Sequence, residues 1–288
     1  MSSFRLALGA VAVCLAMPAA ALPVPPPMDF SFGTQATVVG ANTWDNSSAT
    51  KYNAVNGTNY GNMRTFMSMG ATPVPVNVTA WGSTGGIGGF GGTLQSGYVG
   101  RYGTDELAVT SRPISGNAEL NASNSPNTSN NQHAMDNNGG YESLLFSFQS
   151  SVTLNSVSIG FPSAGSGLDS DATVLVYTGT GDPTPTLNVR TYADLLTNGW
   201  QLAGNLFNMV PGTPGALSTT TSSKYWMVGA FMNIGGNTMI SHDSAIDTIK
   251  INGLTVTPKV IPEPGSLALL GIASLGLLFR RRKGARTV

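Results

Sequence analysis

The fold class is decided by residues 141–161, YESLLFSFQSSVTLNSVSIGF. In the first half of this stretch Leu144, Phe146 and Phe148 are separated by single residues, which places them on one face of a β-strand. The second half alternates in the same way, but it changes phase at Asn155-Ser156. Alternation with a period of two is typical of antiparallel sheets that bury one face. The stretch therefore predicts an antiparallel β protein.

Other strand-like segments follow on the C-terminal side. Residues 173–177 (TVLVY) are apolar or β-branched throughout, which predicts a strand buried on both faces. Residues 225–234 and 247–257 also read as strands, and Asn252-Gly253 within the second is a typical tight hairpin turn.

A single helix is predicted. Thr191 and Asp194 have the spacing of a capping box, so a short helix is expected over 192–197. Asn198-Gly199 then provides a typical C-terminal stop.

Taken together, these segments predict an all-β protein, an antiparallel β-sandwich or jelly-roll-like domain with long Gly- and Asn-rich loops. A signal helix at the N-terminus and a transmembrane helix at the C-terminus are expected in addition. The glycine-rich stretch 82–103 is expected to be a flexible loop region. The predicted divisions are a signal peptide (1–21), an N-terminal Gly-rich β region (22–116), an Asn-rich loop (117–140), a main β-sandwich region (141–258) and a sorting signal (260–283).

The N-terminus has the three zones of a secretory signal peptide. A short segment with Arg5 precedes the apolar run 6–17, and a proline then interrupts the run. Ala19 and Ala21 supply the small residues that signal peptidase requires. We expect cleavage after Ala21 and export from the cytoplasm.

A second three-part signal lies at the C-terminus. It consists of Pro262, Glu263, Pro264, the apolar run 265–279, Arg280, Arg281, Arg282 and Lys283. A helix over the apolar run would rise about 22 Å, against a hydrocarbon core of about 30 Å, so it is a marginal membrane span. Under the positive-inside rule the arginines stay cytoplasmic and the preceding chain lies outside.

This order of elements closely resembles the PEP-CTERM sorting domain over residues 260–283. The resemblance implies a Gram-negative bacterium that makes exopolysaccharide. It also implies cleavage near Pro262-Glu263-Pro264 by exosortase, a membrane protease-transpeptidase, and delivery to the cell surface or its matrix. Exosortase, the general secretion machinery and the inner membrane, as a transient anchor, are then the expected partners, with exopolysaccharide as a further one. A plain single-pass anchor is the alternative.

The charge and the cysteine content change when the two signals are removed. Five of the 14 basic residues lie in them and Arg286 follows the second, against one of the 14 acidic residues, so the body has a net charge near −5. No basic surface remains to neutralise phosphates, which argues against nucleic acid as a partner. The single cysteine, Cys14, leaves with the signal peptide, so the body has neither a disulfide nor a thiolate metal site. Cys14 also lies too early in the apolar run for lipidation.

Aspartates and asparagines are densest just before two predicted strands. Asp136 lies in HAMDNNGGYE, and Asp169 and Asp171 form an Asp-x-Asp pair about thirty residues later. Such loops can supply the oxygen ligands that Ca²⁺ prefers. Asp and Asn also stabilise turns by hydrogen bonding to their own backbone, which is the alternative interpretation. The candidate metal ligands are therefore Asp136, Asp169 and Asp171, with Ca²⁺ as the candidate ion.

The same segments resemble a group of PEP-CTERM proteins described as exosortase-dependent surface proteins. The resemblance is carried by HAMDNNGGYESLLFSF (133–148), SVTLNSVSIGF (151–161), LDSDATVLVYTG (168–179) and NGWQLAGN (198–205). It implies an architecture and a destination, and no catalytic residues.

Enzyme motifs are scarce. The sequence has neither HExxH nor G-x-S-x-G, and only Glu106, Glu119 and Glu142 precede the C-terminal signal. We expect no catalytic residues and a non-enzymatic protein with a structural or adhesive role. A calcium-dependent carbohydrate-binding module is the first alternative. An extracellular glycosidase is the second, because paired carboxylates need not be close in sequence.

Overall fold

The described part of the chain consists mainly of antiparallel strands, as the alternating pattern predicts. The computed structural model describes residues 24–32, 39–41, 57–59, 63–83, 92–102, 106–110, 134–137, 140–162, 169–235 and 246–259. The strands in these residues are β1 (Met28–Ser31), β2 (Val39–Ala41), β3 (Gly57–Asn59), β4 (Met63–Met67), β5 (Pro75–Ser83), β6 (Leu94–Ser96), β7 (Tyr98–Tyr102), β8 (Glu106–Thr110), β9 (Met135–Asp136), β10 (Glu142–Phe161), β11 (Ala172–Tyr177), β12 (Trp200–Leu206), β13 (Gly215–Ala216), β14 (Ser223–Ala230) and β15 (Thr248–Pro258). A 3₁₀ helix (Thr184–Val189) and a short α-helix, α1 (Tyr192–Leu195), are the helical elements described.

The long strand β10 organises the sheet. Its first half pairs with β5 on one side and β14 on the other, so that Leu144 lies opposite both Ala80 and Val228. Its second half pairs with β15, where Leu154 lies opposite Val256. The register with β15 shifts between Leu154 and Ser156. The phase change in the sequence is thus confirmed as an irregularity of the strand, since an extra residue reverses the faces.

One hydrophobic cluster, the main core, receives side chains from both halves of β10. These are Leu144, Phe146, Phe148, Val152, Leu154, Val157 and Ile159. Phe32, next to β1 on the β15 side, contacts Phe66 of β4 at 5.1 Å and Phe146 at 5.8 Å between ring centroids. Side chains from β4, from both halves of β10 and from the segment of β1 therefore share one core.

A second core lies on the outer face of the sheet formed by β10, β14 and β11. Leu145, Met227 and Leu175 of these strands are buried there. The segment that contains α1 covers them with Leu187, Tyr192 and Leu195, and Trp81 of β5 and Trp200 of β12 belong to the same cluster. Leu145, which breaks the alternation in the sequence, is buried because the sheet is covered on both faces at this point. The same cover confirms that β11 is buried on both sides.

Helix α1 begins at Tyr192, as the sequence predicts, but it is shorter than the predicted helix over 192–197. The Thr191 hydroxyl oxygen accepts from the Asp194 backbone N–H at 3.1 Å, and the Asp194 carboxylate accepts from the Thr191 backbone N–H at 3.0 Å. These two bonds form the capping box. The regular helix ends at Leu195, and Gly199 follows with a φ of +86°, which favours glycine.

The prediction of a hairpin turn at Asn252-Gly253 is wrong, because β15 continues through both residues, with a shift of register against β10 between Gly253 and Ile251. Gly253 lies opposite Ser158 on β10 and Ser31 on β1. A Cβ atom on Gly253 would lie 2.9 Å from the Phe30 carbonyl oxygen, so glycine allows β1 to approach. The Asn-Gly pair thus serves close strand packing rather than a reversal of the chain.

The glycine-rich stretch 82–103 is only partly the loop that composition predicts. Its beginning completes β5, and it contains β6 and β7, while residues 84–91 lie outside the described part. β6 pairs with β5, with Leu94 opposite Ser83. Glycine content therefore misled the prediction, since these strands are held by pairing with their neighbours.

Pro25–Lys259 form one compact unit, in which strands from both sides of the Asn-rich stretch share the main core. The predicted signal peptide, most of the Asn-rich stretch and the predicted sorting segment lie outside the described residues. Within the described ranges, none of the helices has the length and apolar character needed to cross a membrane.

Candidate metal centre and sorting signal

Three aspartates meet where the segments preceding β11 and β15 come together. Asp169 and Asp171 precede β11, and Asp247 precedes β15. Asp169 and Asp247 form an isolated parallel bridge, and the Thr248 backbone N–H donates to the Asp169 carbonyl at 3.1 Å. One carboxylate oxygen from each aspartate lies within 4.8 Å of the others. We call Asp169, Asp171 and Asp247 the aspartate cluster.

The cluster contains two of the three predicted ligands. Asp136, the third, lies in β9 opposite Thr248 of β15 and is not one of the three clustered carboxylates. It is buried, and its backbone N–H donates to Glu142 Oε2 at 3.2 Å. Asp247 is the third clustered carboxylate, and it was not among the predicted ligands. Its position in the sequence could have identified it, because Asp247, like Asp169 and Asp171, comes just before a strand.

Hydrogen bonds fix Asp247 at the centre of the cluster. Its Oδ1 accepts from the Asp171 backbone N–H at 3.0 Å, and its Oδ2 accepts from the Asn137 amide at 2.6 Å. The Asp247 backbone N–H donates back to Asn137 Oδ1 at 2.8 Å. Asn137 also donates to the carbonyl oxygen of Phe231, just after β14. The segments before β10, β11 and β15 and the end of β14 are thus joined through one asparagine and one aspartate.

Asp171 joins a further loop to the same point. Its Oδ1 accepts from the Asn208 backbone N–H at 2.5 Å, and its carbonyl oxygen accepts from the Phe231 backbone N–H at 3.1 Å. Asn208 has a φ of +48°, in the left-handed region that asparagine tolerates. The Ser170 hydroxyl, beside Asp171, donates to the Met209 carbonyl oxygen at 2.8 Å. The Ser170 backbone N–H also donates to Asp169 Oδ1 at 2.7 Å. This local bond is of the turn-stabilising kind given above as the alternative to a metal site, whereas the bonds of Asp171 join segments distant in sequence.

The electrostatics of the cluster favour a positive charge. Burial, together with the neighbouring charges of Asp171 and Asp169, raises the pKa of Asp247 to about 7, against the lowering effect of the hydrogen bonds from Asp171 and Asn137. At neutral pH the Asp247 carboxyl is therefore only partly ionised. Carboxylate oxygens are the ligands that Ca²⁺ prefers, so this donor set suits that ion.

Comparison with known families decides the role of the C-terminal segment. Residues 260–283 match the family model of the PEP-CTERM protein-sorting motif. The chain carries a PEP-CTERM sorting signal. This signal indicates exosortase-dependent sorting of an exported protein and a precursor held at the membrane. Comparison with curated proteins and with solved structures gives no match.

The residues predicted to act in export lie outside the described part of the chain. For the PEP-CTERM signal these are Pro262, Glu263, Pro264, Arg280, Arg281 and Arg282, and for the signal peptidase site Ala19 and Ala21. The match to the sorting motif covers the first six. The two alanines stay a prediction from the sequence.

Proposed function

We propose that this protein is displayed at the cell surface or in the exopolysaccharide matrix of a Gram-negative bacterium, where it has a non-enzymatic, structural or adhesive role. The observation that carries the proposal is the PEP-CTERM motif at residues 260–283. A body of net charge near −5 and low overall charge suits a protein that lives among polysaccharides rather than on nucleic acid.

In this proposal the sorting segment is a transient anchor. A signal peptide directs export, and the apolar run 265–279 holds the precursor in the inner membrane with Arg280–282 inside. Exosortase then cleaves at Pro262-Glu263-Pro264 and releases Pro25–Lys259 outside the cytoplasm. The marginal length of the apolar run suits a segment that is removed rather than a permanent span.

For the body we propose a β-sandwich. Phe32, on the β15 side, packs against Phe66 and Phe146 on the β5 side, and residues from both halves of β10 share the main core. β10 would then contribute to both layers, with exposed Gln149 and Ser150 at the point of crossing. Two layers with facing apolar sides are the usual way to bury sheets of this kind.

The non-enzymatic role is supported by the contacts of the two described glutamates. Glu142 is 2% exposed and accepts from the Asp136 backbone N–H, while Glu106 pairs with Lys250 at 3.3 Å. Both carboxylates thus make structural contacts. The glycosidase alternative predicts that E106A or E142A abolishes an observed polysaccharide hydrolysis, and unchanged hydrolysis in both would exclude these glutamates as its catalytic groups.

The sorting proposal is tested by intact-mass analysis of the mature protein recovered from the cell surface. We expect residues after the Pro-Glu-Pro motif to be absent from the wild type. Replacement of Pro262, Glu263 and Pro264 by alanine should leave a full-length tail and keep the protein in the inner-membrane fraction. A host without exosortase should give the same result with the wild type.

The matched control replaces Pro25, Pro26 and Pro27, another proline cluster, by alanine. This variant should be processed like the wild type. Surface-exposed protein that still carries Arg280 to Val288 would contradict the cleavage step, and normal processing without exosortase would contradict the partner.

Calcium binding at the aspartate cluster is a second candidate function. The observation in its favour is the approach of three carboxylates within 4.8 Å, with the pKa of Asp247 raised to about 7. A divalent cation would neutralise the repulsion that otherwise retains a proton. It would also bind more weakly below neutral pH, where the proton competes for Asp247.

This second candidate is tested by calorimetric titration with CaCl₂ at pH 8 and by the melting temperature with and without Ca²⁺. A metal site predicts heat and a higher melting temperature for the wild type, and neither for D171N. D29N is the control, since Asp29 is exposed and its Oδ1 acceptor remains in asparagine. If the wild type shows neither heat nor a change in melting temperature, the aspartate cluster does not bind calcium and has only a structural role.

A further inference from the structure

An open cleft of about 680 Å³ lies on the outer face of the sheet, beside the area that α1 covers. Its floor is a row of side chains across four paired strands. Thr65 of β4 lies opposite Asn77 of β5, Asn77 opposite Ser147 of β10, and Ser147 opposite Tyr225 of β14. Asp182, just before the 3₁₀ helix, stands at one side. The volume is in the range of small-ligand sites.

Hydroxyl and amide groups dominate the polar lining of this cleft. Thr, Ser, Asn, Gln and Tyr side chains each both donate and accept hydrogen bonds, as the hydroxyl groups of a sugar do. Among the described residues that line this cleft Asp182 is the one that is charged, so the cleft suits an uncharged ligand better than an anion or a cation. Met63 and Pro75 add apolar surface for the C–H faces of a sugar ring.

The polar groups are held in place before any ligand arrives. The Thr65 hydroxyl donates to Asn77 Oδ1 at 2.7 Å, which orients the Asn77 amide. Asp182 Oδ1 accepts from the Thr184 backbone N–H at 2.9 Å. Because these groups lose little freedom on binding, the cleft is pre-organised.

Tyr225 is supported from the second core through a chain of aromatic rings. Buried Trp200 contacts Tyr177 at 5.3 Å, and Tyr177 contacts Tyr225 edge-on at 6.0 Å, between ring centroids. The Tyr177 hydroxyl donates to the Thr180 carbonyl oxygen at 3.1 Å. A tyrosine fixed in this way offers a rigid apolar ring with a polar end, the kind of side chain that anchors ligands at low entropic cost.

A second cleft of about 430 Å³ adjoins the first, and Asp182 and Tyr225 line both. Its other polar side chains include Ser151, Ser222 and Lys224. A linear ligand can therefore extend past Tyr225 from one cleft into the other. This continuity favours a chain of several sugar units over a single small molecule.

A peptide fits this surface less well. Peptides commonly bind a sheet by adding a strand to its edge, where backbone groups are available. β4, β5, β10 and β14 each pair with strands on both sides, so the floor presents side chains rather than an edge.

We propose that the two clefts on either side of Asp182 and Tyr225 form a binding site for an uncharged oligosaccharide chain, with Tyr225 as the apolar platform and Asn77, Ser147 and Gln149 as hydrogen-bonding partners. The site is separate from the aspartate cluster. Asp171 precedes β11 and Tyr177 ends it, a rise of roughly 20 Å along the strand. Binding therefore does not require calcium at the aspartates.

The test is affinity gel electrophoresis of the full chain in mild detergent, with dextran and laminarin as neutral probes and alginate as an anionic probe. We expect the wild type to be retarded by a neutral probe and not by alginate. Y225A and N77A should weaken binding about tenfold each. Y225F keeps the ring and should retain more affinity than Y225A.

Q149A and Q201A are matched variants, because both glutamines are exposed and only Gln149 lines the cleft. Q149A should weaken binding, and Q201A should not. Excess EDTA should leave binding unchanged, and each variant's melting temperature shows whether it is folded.

Lack of retardation by both neutral probes would overturn the proposal, as would wild-type affinity in folded Y225A and N77A. Preference for alginate would overturn the choice of an uncharged ligand, and loss of binding in EDTA would move the site to the aspartates. None of these outcomes affects cleavage at the sorting signal, since the clefts lie within Pro25–Lys259.

Discussion

Asn137 and Asp247, 110 residues apart in sequence, are joined by two reciprocal hydrogen bonds. The Asn137 amide donates to the Asp247 carboxylate at 2.6 Å, and its carbonyl oxygen accepts from the Asp247 backbone N–H at 2.8 Å. Asparagine alone among the standard side chains of this length has both a donor and an acceptor in this geometry. The pair therefore fixes the entry to β15 relative to the segment before β10, whether or not a cation binds nearby.

Replacement of Asn137 by alanine should destabilise the fold substantially. N137A removes the bonds to Asp247 and the bond to the Phe231 carbonyl, and it leaves partly buried groups unsatisfied. We expect a loss of about 2–4 kcal/mol in the free energy of unfolding, measured by urea denaturation. N188A is the control, because Asn188 is exposed in the 3₁₀ helix and should lose no more than about 0.5 kcal/mol. Equal losses in the two variants would contradict a structural role for Asn137.

The raised pKa of Asp247 predicts a pH dependence of stability. Asp247 has a pKa of about 7 in the folded protein, against an ordinary aspartate value of 3.8. The folded state therefore binds a proton more tightly than the unfolded chain. In the absence of divalent cations this contribution is fully present below about pH 4, and it is lost as the pH rises through 7. The stability attributable to Asp247 should fall across this window by a few kcal/mol.

Urea denaturation of wild type and D247N from pH 4 to 8, in EDTA, checks this prediction. The difference between the two curves isolates Asp247 from the other carboxylates. D247N lacks the titrating group, so its stability should decline less between pH 4 and 7. Parallel curves for the two proteins over this window would show that Asp247 has an ordinary pKa.

Strands with one buried face could be predicted from the sequence. The extent of a strand and the position of its turns were less predictable where they depend on tertiary packing. Periodicity alone located Leu144, Phe146 and Phe148 and the phase change near Ser156. Periodicity does not show by itself that residues 142–161 form one strand, because the continuity at Gln149 depends on pairing with strands remote in sequence. At Gly253 the local turn preference was overridden by strand pairing on both sides.

The candidate sites show the same limit. Asp169 and Asp171 could be selected because they are adjacent in sequence and precede a strand. Asp247 joins them only through the bridge between two distant segments. The row of side chains on the cleft floor, from Thr65 to Tyr225, comes from four strands and contains no sequence motif. Only the register of the sheet brings these residues together, so the cleft could not be predicted from the sequence.

Tyr192 should contribute to stability through its hydroxyl as well as through its ring. The hydroxyl lies 2.8 Å from Ser143 Oγ and donates to the Trp81 carbonyl oxygen at 3.2 Å, in a fully buried setting. Y192F would leave both partners without that group and should cost about 1–3 kcal/mol in the free energy of unfolding. Y177F is the comparison, because its hydrogen bond to Thr180 is exposed and its loss should cost less than about 1 kcal/mol. A cost for Y192F no larger than that for Y177F would assign the contribution of Tyr192 to its ring.

The contact between Phe32 and Phe66 provides a test of the proposed two-layer architecture. Their rings meet edge-on at 5.1 Å, although β1 pairs with β15 and β4 pairs with β5. A double-mutant cycle with F32L and F66L should give a coupling energy of about 0.5–1.5 kcal/mol, because an aromatic pair is lost only once in the double variant. The cycle of F32L with W200F is the control, since Trp200 belongs to the second core and should show coupling near zero. Additive losses in the Phe32–Phe66 cycle would mean that the two parts of the sheet do not pack face to face through these rings.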